Sequence, residues 1–125
     1  AYIVLGGVDA ENVAAYDASR LEIREQSNGL HAVYDKQRSR WYFAFFRAGS
    51  YRSRELAVSV DRPCLLMLSR EGGKTVVDIA SPEQVHEQIN VEIARPGKSK
   101  PKQLTARFDI GQVTTAGATQ HHTLR

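Results

Sequence analysis

The sequence predicts an all-β fold, an antiparallel β-sandwich with one short N-terminal helix, on three observations. From residue 21 onward, short runs rich in Val, Ile, Leu, Phe and Tyr recur at intervals of about ten positions, with turn residues between them. Helical spacing of apolar residues is confined to the stretch before residue 21. The 125 residues, 42% hydrophobic and 25% charged, suit one soluble domain with a single core.

The chain opens on AYIVLGG, which reads as the end of a strand and, lacking a starting methionine, as a piece of something longer. In VDAENVAAYDASR, Asp9 is placed to cap a helix, because a carboxylate there accepts from an unpaired backbone N–H. Val13, Ala14 and Tyr16 give that helix its apolar stripe. Strands follow at 21–25, 30–35, 41–47, 56–60, 63–69, 74–80, 89–95, 103–110 and 119–124. In TVVDIA the two-residue period sends Val77 and Ile79 into the core and Val76 and Asp78 to the other face. WYFAFFR is apolar or aromatic on both faces, so it either runs through the centre of the sandwich or is covered outside by another domain. ARPGKSKPK, residues 94–102, is an exposed basic loop.

The residues that could carry chemistry mostly have a plainer reading. Gly72-Gly73-Lys74 leads into a strand, whereas a phosphate cradle needs a helix whose N-terminal amides receive the anion. The glycines therefore read as a hairpin turn between CLLMLSR and KTVVDIA. His121 and His122 are adjacent on a strand and point to opposite faces, so they do not share a metal ion. His31 and His86 lie beside no nucleophile or carboxylate that would make them proton-transfer groups. The serines form no GxSxG elbow, and Cys64, the sole cysteine, sits in an apolar strand as a buried thiol with no disulfide partner. No catalytic residue, metal ligand or cofactor is assigned. No run of about 18 apolar residues is present and no signal sequence opens the chain, so no membrane partner is expected.

The formal charge of +3 favours an anionic partner. Trp41, Tyr42 and Tyr51 offer flat rings of the kind that stack on sugar faces. Arg47, Arg52 and Arg54 offer guanidinium groups that pair with carboxylate or sulfate. Together these six are the candidate contacts for an acidic polysaccharide. The same aromatic strand also suits a sandwich core, with RAGSYRSR as a solvated loop. Lys98, Lys100 and Lys102 would anchor a nucleic-acid surface, but no RNA-binding or helix-turn-helix pattern accompanies them, and nucleic acid is not expected as a partner.

AYIVLGGVDAENVAAYD, HAVYDKQRSRWYFAFFRAG and SVDRPCLLMLSREGGKTVVDIASPEQ, taken in that order, resemble the C-terminal part of polysaccharide lyase family 8, the hyaluronate, chondroitin and xanthan lyases. The resemblance spans residues 1–84, and INVEIA, QLTARFDI and ATQHHTLR continue as the family's last strands would. Gly7 stands where the family often has proline, and Ser81 and Glu83 replace the usual Asp and Thr of a turn that Ser-Pro still makes. The resemblance implies a secreted or periplasmic enzyme that cleaves acidic polysaccharide by β-elimination, built from an α/α toroid, a central β-sandwich and a small C-terminal β-sandwich. Residues 1–20 would be the end of the central domain or its linker, and residues 21–125 the terminal sandwich. The family's Asn, His, Tyr and Arg catalytic residues lie in the toroid, and no position here matches them. This chain is therefore expected to be non-catalytic and monomeric, to support the catalytic domains of the same polypeptide, and to contact the anionic chain. The alternative is an independent carbohydrate-binding module.

Overall fold

In the computed structural model, which describes residues 4, 6–82, 88–98, 100–108 and 118–124, alternating apolar side chains close one core between two antiparallel sheets. In chain order the elements are helix α1 (Ala10–Ala15), a 3-10 turn (Ala18–Arg20), and strands β1 (Leu21–Gln26), β2 (Leu30–Asp35), β3 (Arg40–Phe45), β4 (Gly49–Arg52) and β5 (Ala57–Val60). They continue with β6 (Cys64–Glu71), β7 (Lys74–Ala80), β8 (Gln88–Ala94), β9 (Lys102–Arg107) and β10 (Gln120–Leu124). One sheet has the order β1-β2-β3-β6-β7-β10 and the other β4-β5-β8-β9. The predicted sandwich is therefore present, with its short helix in front.

The helix begins where its cap predicts. The Asp9 carboxylate accepts from the Asn12 N–H at 2.9 Å, and the Asp17 carboxylate does the same for Ser19 at 3.0 Å at the start of the 3-10 turn. Neither element buries a residue, so the Val13, Ala14 and Tyr16 stripe covers no core. The strand read in AYIVL lies largely outside the described residues, as do His86 and Glu83.

Core-facing residues alternate as the sequence requires. Trp41, Phe43 and Phe45 of β3, Leu66 and Leu68 of β6, and Val77 and Ile79 of β7 meet Val58, Ile89, Val91 and Ile93 of the opposing sheet. Each such burial contributes roughly 1.5–3 kcal/mol against the entropy of ordering the chain. The strand expected at 41–47 stops at Phe45, where the chain leaves the large sheet, and Phe46 is left 52% exposed. Four residues later β4 begins the small sheet, an element absent from the sequence reading because Gly49, Ser50 and Arg52 carry no strand signal.

Two turns are fixed by identifiable residues. Glu71 pairs with Lys74, and between them Gly72 and Gly73 have φ of 55° and 78°, the conformation of a two-residue type I′ hairpin that glycine adopts at least cost. Gly-Gly-Lys is therefore a turn. In the β2–β3 connection the buried Asp35 carboxylate accepts from the N–H groups of Gln37 and Arg38 at 3.0 and 3.1 Å, with the Arg20 guanidinium at 3.7 Å. On β1, at the edge of the large sheet, the register shifts between Ile23 and Glu25.

Candidate functional site

The six residues expected to meet sugar do not converge. Trp41 is 5% exposed, its ring 4.6 Å from Tyr34, 5.9 Å from Phe43 and 5.5 Å from Tyr51. The Arg24 guanidinium covers it at 5.1 Å and is itself paired with Glu22 at 2.9 Å and Glu55 at 3.4 Å. Burial works against the Arg24 charge, but the Glu22 hydrogen bond, helped by Tyr51 and Glu55, outweighs it and raises its pKa. Tyr51 is 4% exposed and packs on Phe43 at 5.4 Å, so neither ring has a face open to a sugar. Tyr42 points to the opposite side of the sheet. Arg47 lies against Gly29, where an added Cβ would stand 2.6 Å from its Nε. Arg52 and Arg54 are exposed on and beside β4.

A different set of cations does come together. Between the β6–β7 turn and the β8–β9 loop lies a groove of about 290 Å³ lined by Arg70, Arg95, Lys98, Lys100 and Lys102, together with Gly73, Thr75 and Ile93. Strand alternation explains their direction. Arg70 continues the inward row Cys64, Leu66, Leu68; Arg95 continues Ile89, Val91, Ile93; and Lys102 begins the row Leu104, Ala106. All three therefore point toward the gap between the sheets, just past the end of the core. The loop is shaped by a turn in which the Lys98 N–H donates to the Arg95 carbonyl at 3.2 Å, with Gly97 at φ 76°. Arg70 donates to the Gly73 carbonyl at 3.4 Å and Lys102 to the Leu124 carbonyl at 3.3 Å. Burial, and then the nearby Arg70 charge, push the Arg95 pKa down, with Tyr34 opposing. Among the described residues no carboxylate pairs with any of the five within 4.0 Å. The lysines were visible in the sequence as a basic loop. Arg95 was visible with them, as part of the same 94–102 loop; Arg70 was not, although it occupies the next inward position of an apolar row.

The outer face of the large sheet is a second surface. Val33, Tyr42, Ala44, Leu65, Met67 and Ala80 line a shallow apolar depression of about 450 Å³, with Leu65 47% exposed. WYFAFFR thus buries Trp41, Phe43 and Phe45 inward while Tyr42 and Ala44 lie half-buried on the outer face, on which Ser69 and Val76 of the neighbouring hairpin are buried at 5% and 2% exposure. At its margin His121 Nδ1 lies 2.7 Å from Asp78 Oδ1, and His122 Nε2 lies 3.2 Å from Gln120 Oε1. His121 is level with Asp78 and His122 with Val77, so the two imidazoles occupy opposite faces. Among the described residues no three His, Cys, Asp or Glu side chains are grouped to hold a metal ion. Cys64 is fully buried, and burial, with a lesser push from the Asp61 charge, raises its thiol pKa to about 12. No described helix is long and apolar enough to cross a membrane.

Residues 22–90 match the family described as polysaccharide lyase family 8, C-terminal beta-sandwich domain. Chondroitinase-AC of Pedobacter heparinus is 28% identical over 122 residues, an alignment covering 95% of this chain and 17% of that protein. A solved structure of chondroitinase AC lyase, from a study of its oligosaccharide complexes, superposes with a TM-score of 0.75 at 24% identity over 92% of this chain and 17% of that one. The sandwich is therefore shared in fold with a segment of a much longer protein.

Proposed function

The chain belongs to polysaccharide lyase family 8 as its C-terminal β-sandwich domain, and on that premise we propose that it is the non-catalytic terminal domain of an enzyme that cleaves acidic polysaccharide by β-elimination. It supports the catalytic domains of the same polypeptide and contacts the anionic chain. Chondroitin is the favoured substrate, because the curated relative is a chondroitinase; hyaluronan and xanthan are its acidic counterparts in the family. The parent enzyme acts as a monomer in the secreted or periplasmic space, where such polymers are met. Residues 1–20 serve as the linker from the preceding domain, a reading supported by their helix and 3-10 turn burying nothing of their own.

The observation that carries the supporting role is the apolar outer face around Tyr42, Leu65 and Met67. A shallow apolar depression rimmed by polar groups, here His31, Asp78 and Thr119, is a surface suited to packing against a neighbouring domain, and this supports the reading. β-Elimination also needs a base for the proton beside the uronate carboxylate and an acid for the departing oxygen. His121 and His122 stand on opposite faces of β10, so they do not offer a base and an acid at one point.

Two measurements test the reading. The chain is incubated with chondroitin sulfate, hyaluronan and xanthan while the ultraviolet absorbance of unsaturated uronate ends is followed; no turnover is expected, and turnover would overturn the non-catalytic assignment. Leu65→Cys is labelled with a maleimide in this chain and in the full-length enzyme, with buried Cys64 contributing little background. Fast labelling in the chain and slow labelling in the enzyme is expected; equal rates would sink the docking role.

A further inference from the structure

We propose that the groove between the β6–β7 turn and the β8–β9 loop is a binding site for the sulfate and carboxylate groups of an acidic polysaccharide. Arg70 and Arg95 supply the paired donors, and Lys98, Lys100 and Lys102 the surrounding charge. The inference rests on the lyase-domain reading above and gives that domain's chain contact a location.

Inward positions at the end of a sandwich ordinarily carry apolar residues that close the core, yet three successive rows end in Arg70, Arg95 and Lys102. Positive groups held close repel one another, and the Arg95 pKa is lowered first by burial and then by the neighbouring Arg70 charge. Three cations elsewhere in the domain are matched, Arg20 by Asp35, Arg24 by Glu22 and Glu55, and Lys36 by Glu22; exposed ones such as Arg38, Arg52 and Arg54 stand singly in solvent, whereas the groove gathers five. The groove has no such carboxylate among the described residues, so an incoming anion relieves the repulsion and makes charge-assisted hydrogen bonds.

The groove is also built. Thr75 and Ile93, 4% and 2% exposed, form its floor, and the backbone carbonyls of Gly73 and Leu124 hold Arg70 and Lys102 in position. A planar guanidinium matches two oxygens of a sulfate or carboxylate, which distinguishes this pair from a diffuse lysine patch. About 290 Å³ sits at the low end of ligand pockets and suits a short sugar segment. Nucleic acid fits less well. Duplex DNA presents a charge about every 1.7 Å along its axis, and a domain of net charge +3 with one compact basic groove tracks few of them. Among the described residues no aromatic side chain lines the groove for a base to stack on.

The test is a titration of the ¹⁵N-labelled chain with chondroitin sulfate hexasaccharide, hyaluronan hexasaccharide, neutral dextran and a short DNA duplex. The amides of Gly73, Thr75 and Lys98 are expected to shift with both acidic sugars and not with dextran. Binding to chondroitin sulfate alone would also support the site, with sulfate as the recognised group. Arg70→Gln combined with Arg95→Gln should weaken binding about tenfold or more, and rising salt should weaken it further, while Arg62→Gln, exposed in the β5–β6 connection at the other end of β6, should leave it unchanged. Should the arginine pair fail to fold, Lys98→Glu with Lys100→Glu on the exposed loop gives the same comparison. The proposal is overturned by shifts that map elsewhere, by binding indifferent to groove substitutions, by equal affinity for dextran, by no binding to either acidic sugar, or by tighter binding to DNA. None of these results bears on the ultraviolet assay, so the groove and the non-catalytic reading fail separately.

Discussion

Replacing Trp41 by alanine separates its role as core from a role as sugar platform. A tryptophan buries about 200 Å² of side chain, which at about 25 cal/mol per Å² sets an upper bound near 5 kcal/mol. The hole would be bounded by Tyr34, Phe43, Tyr51 and the Arg24 guanidinium. The flexible Arg24 side chain can partly refill it, whereas the rings on neighbouring strands cannot. We therefore expect a loss of about 3–4 kcal/mol, within the range for large core truncations. In a domain of this size that lowers Tm by roughly 12–16 °C. Trp41→Phe should keep most of the packing and lose only about 1–2 kcal/mol. Because Trp41 is the only tryptophan, urea unfolding of the variants is followed by circular dichroism, and chondroitin sulfate affinity is measured below the transition. A Trp41→Ala protein within about 1 kcal/mol of the parent but deficient in sugar binding would refute the core assignment.

Two further outcomes are expected. Gly73→Ala has open space for its Cβ, so its cost is the positive φ alone, about 1–2 kcal/mol in urea unfolding; Gly73→Asn should cost less, and a neutral alanine would mean the turn is not type I′. For Cys64 the sign follows from its thiol pKa, about 12 in the fold against 9.0 for the ordinary group. The unfolded chain releases this proton first, so stability falls as pH rises from about 9 toward about 12, by on the order of 1 kcal/mol per pH unit. Cys64→Ala should flatten that part of the profile, since the tyrosines and lysines titrate equally in both proteins. An unchanged slope would show that the thiol is not shielded.

The fold was largely legible because periodicity and turn chemistry are local. Asp9 marked a helix start, Gly72-Gly73 a hairpin, and alternation the inward side of β7. β4 escaped because its only strong strand residue, Tyr51, earns its place through contacts with Trp41 and Phe43 on another sheet. The same non-local contacts explain the sugar-contact residues. A sequence reports that Trp41 and Tyr51 are aromatic, but their burial is decided by packing between strands that are distant in the chain. The basic groove was half legible: Lys98, Lys100 and Lys102 form one run, whereas Arg70 reaches it only through the register of β6 with β7 and the stacking of that hairpin over β8 and β9.

The order in which the chain visits its sheets has a consequence for unfolding. β1–β3 enter the large sheet, β4–β5 the small one, β6–β7 return, β8–β9 cross again, and β10 comes back beside β7. Neither layer is a continuous piece of polypeptide, so neither can peel away while the other stays intact. With the layers stitched together by these crossings, unfolding by heat or denaturant is expected to be a single cooperative transition in which both layers are lost together.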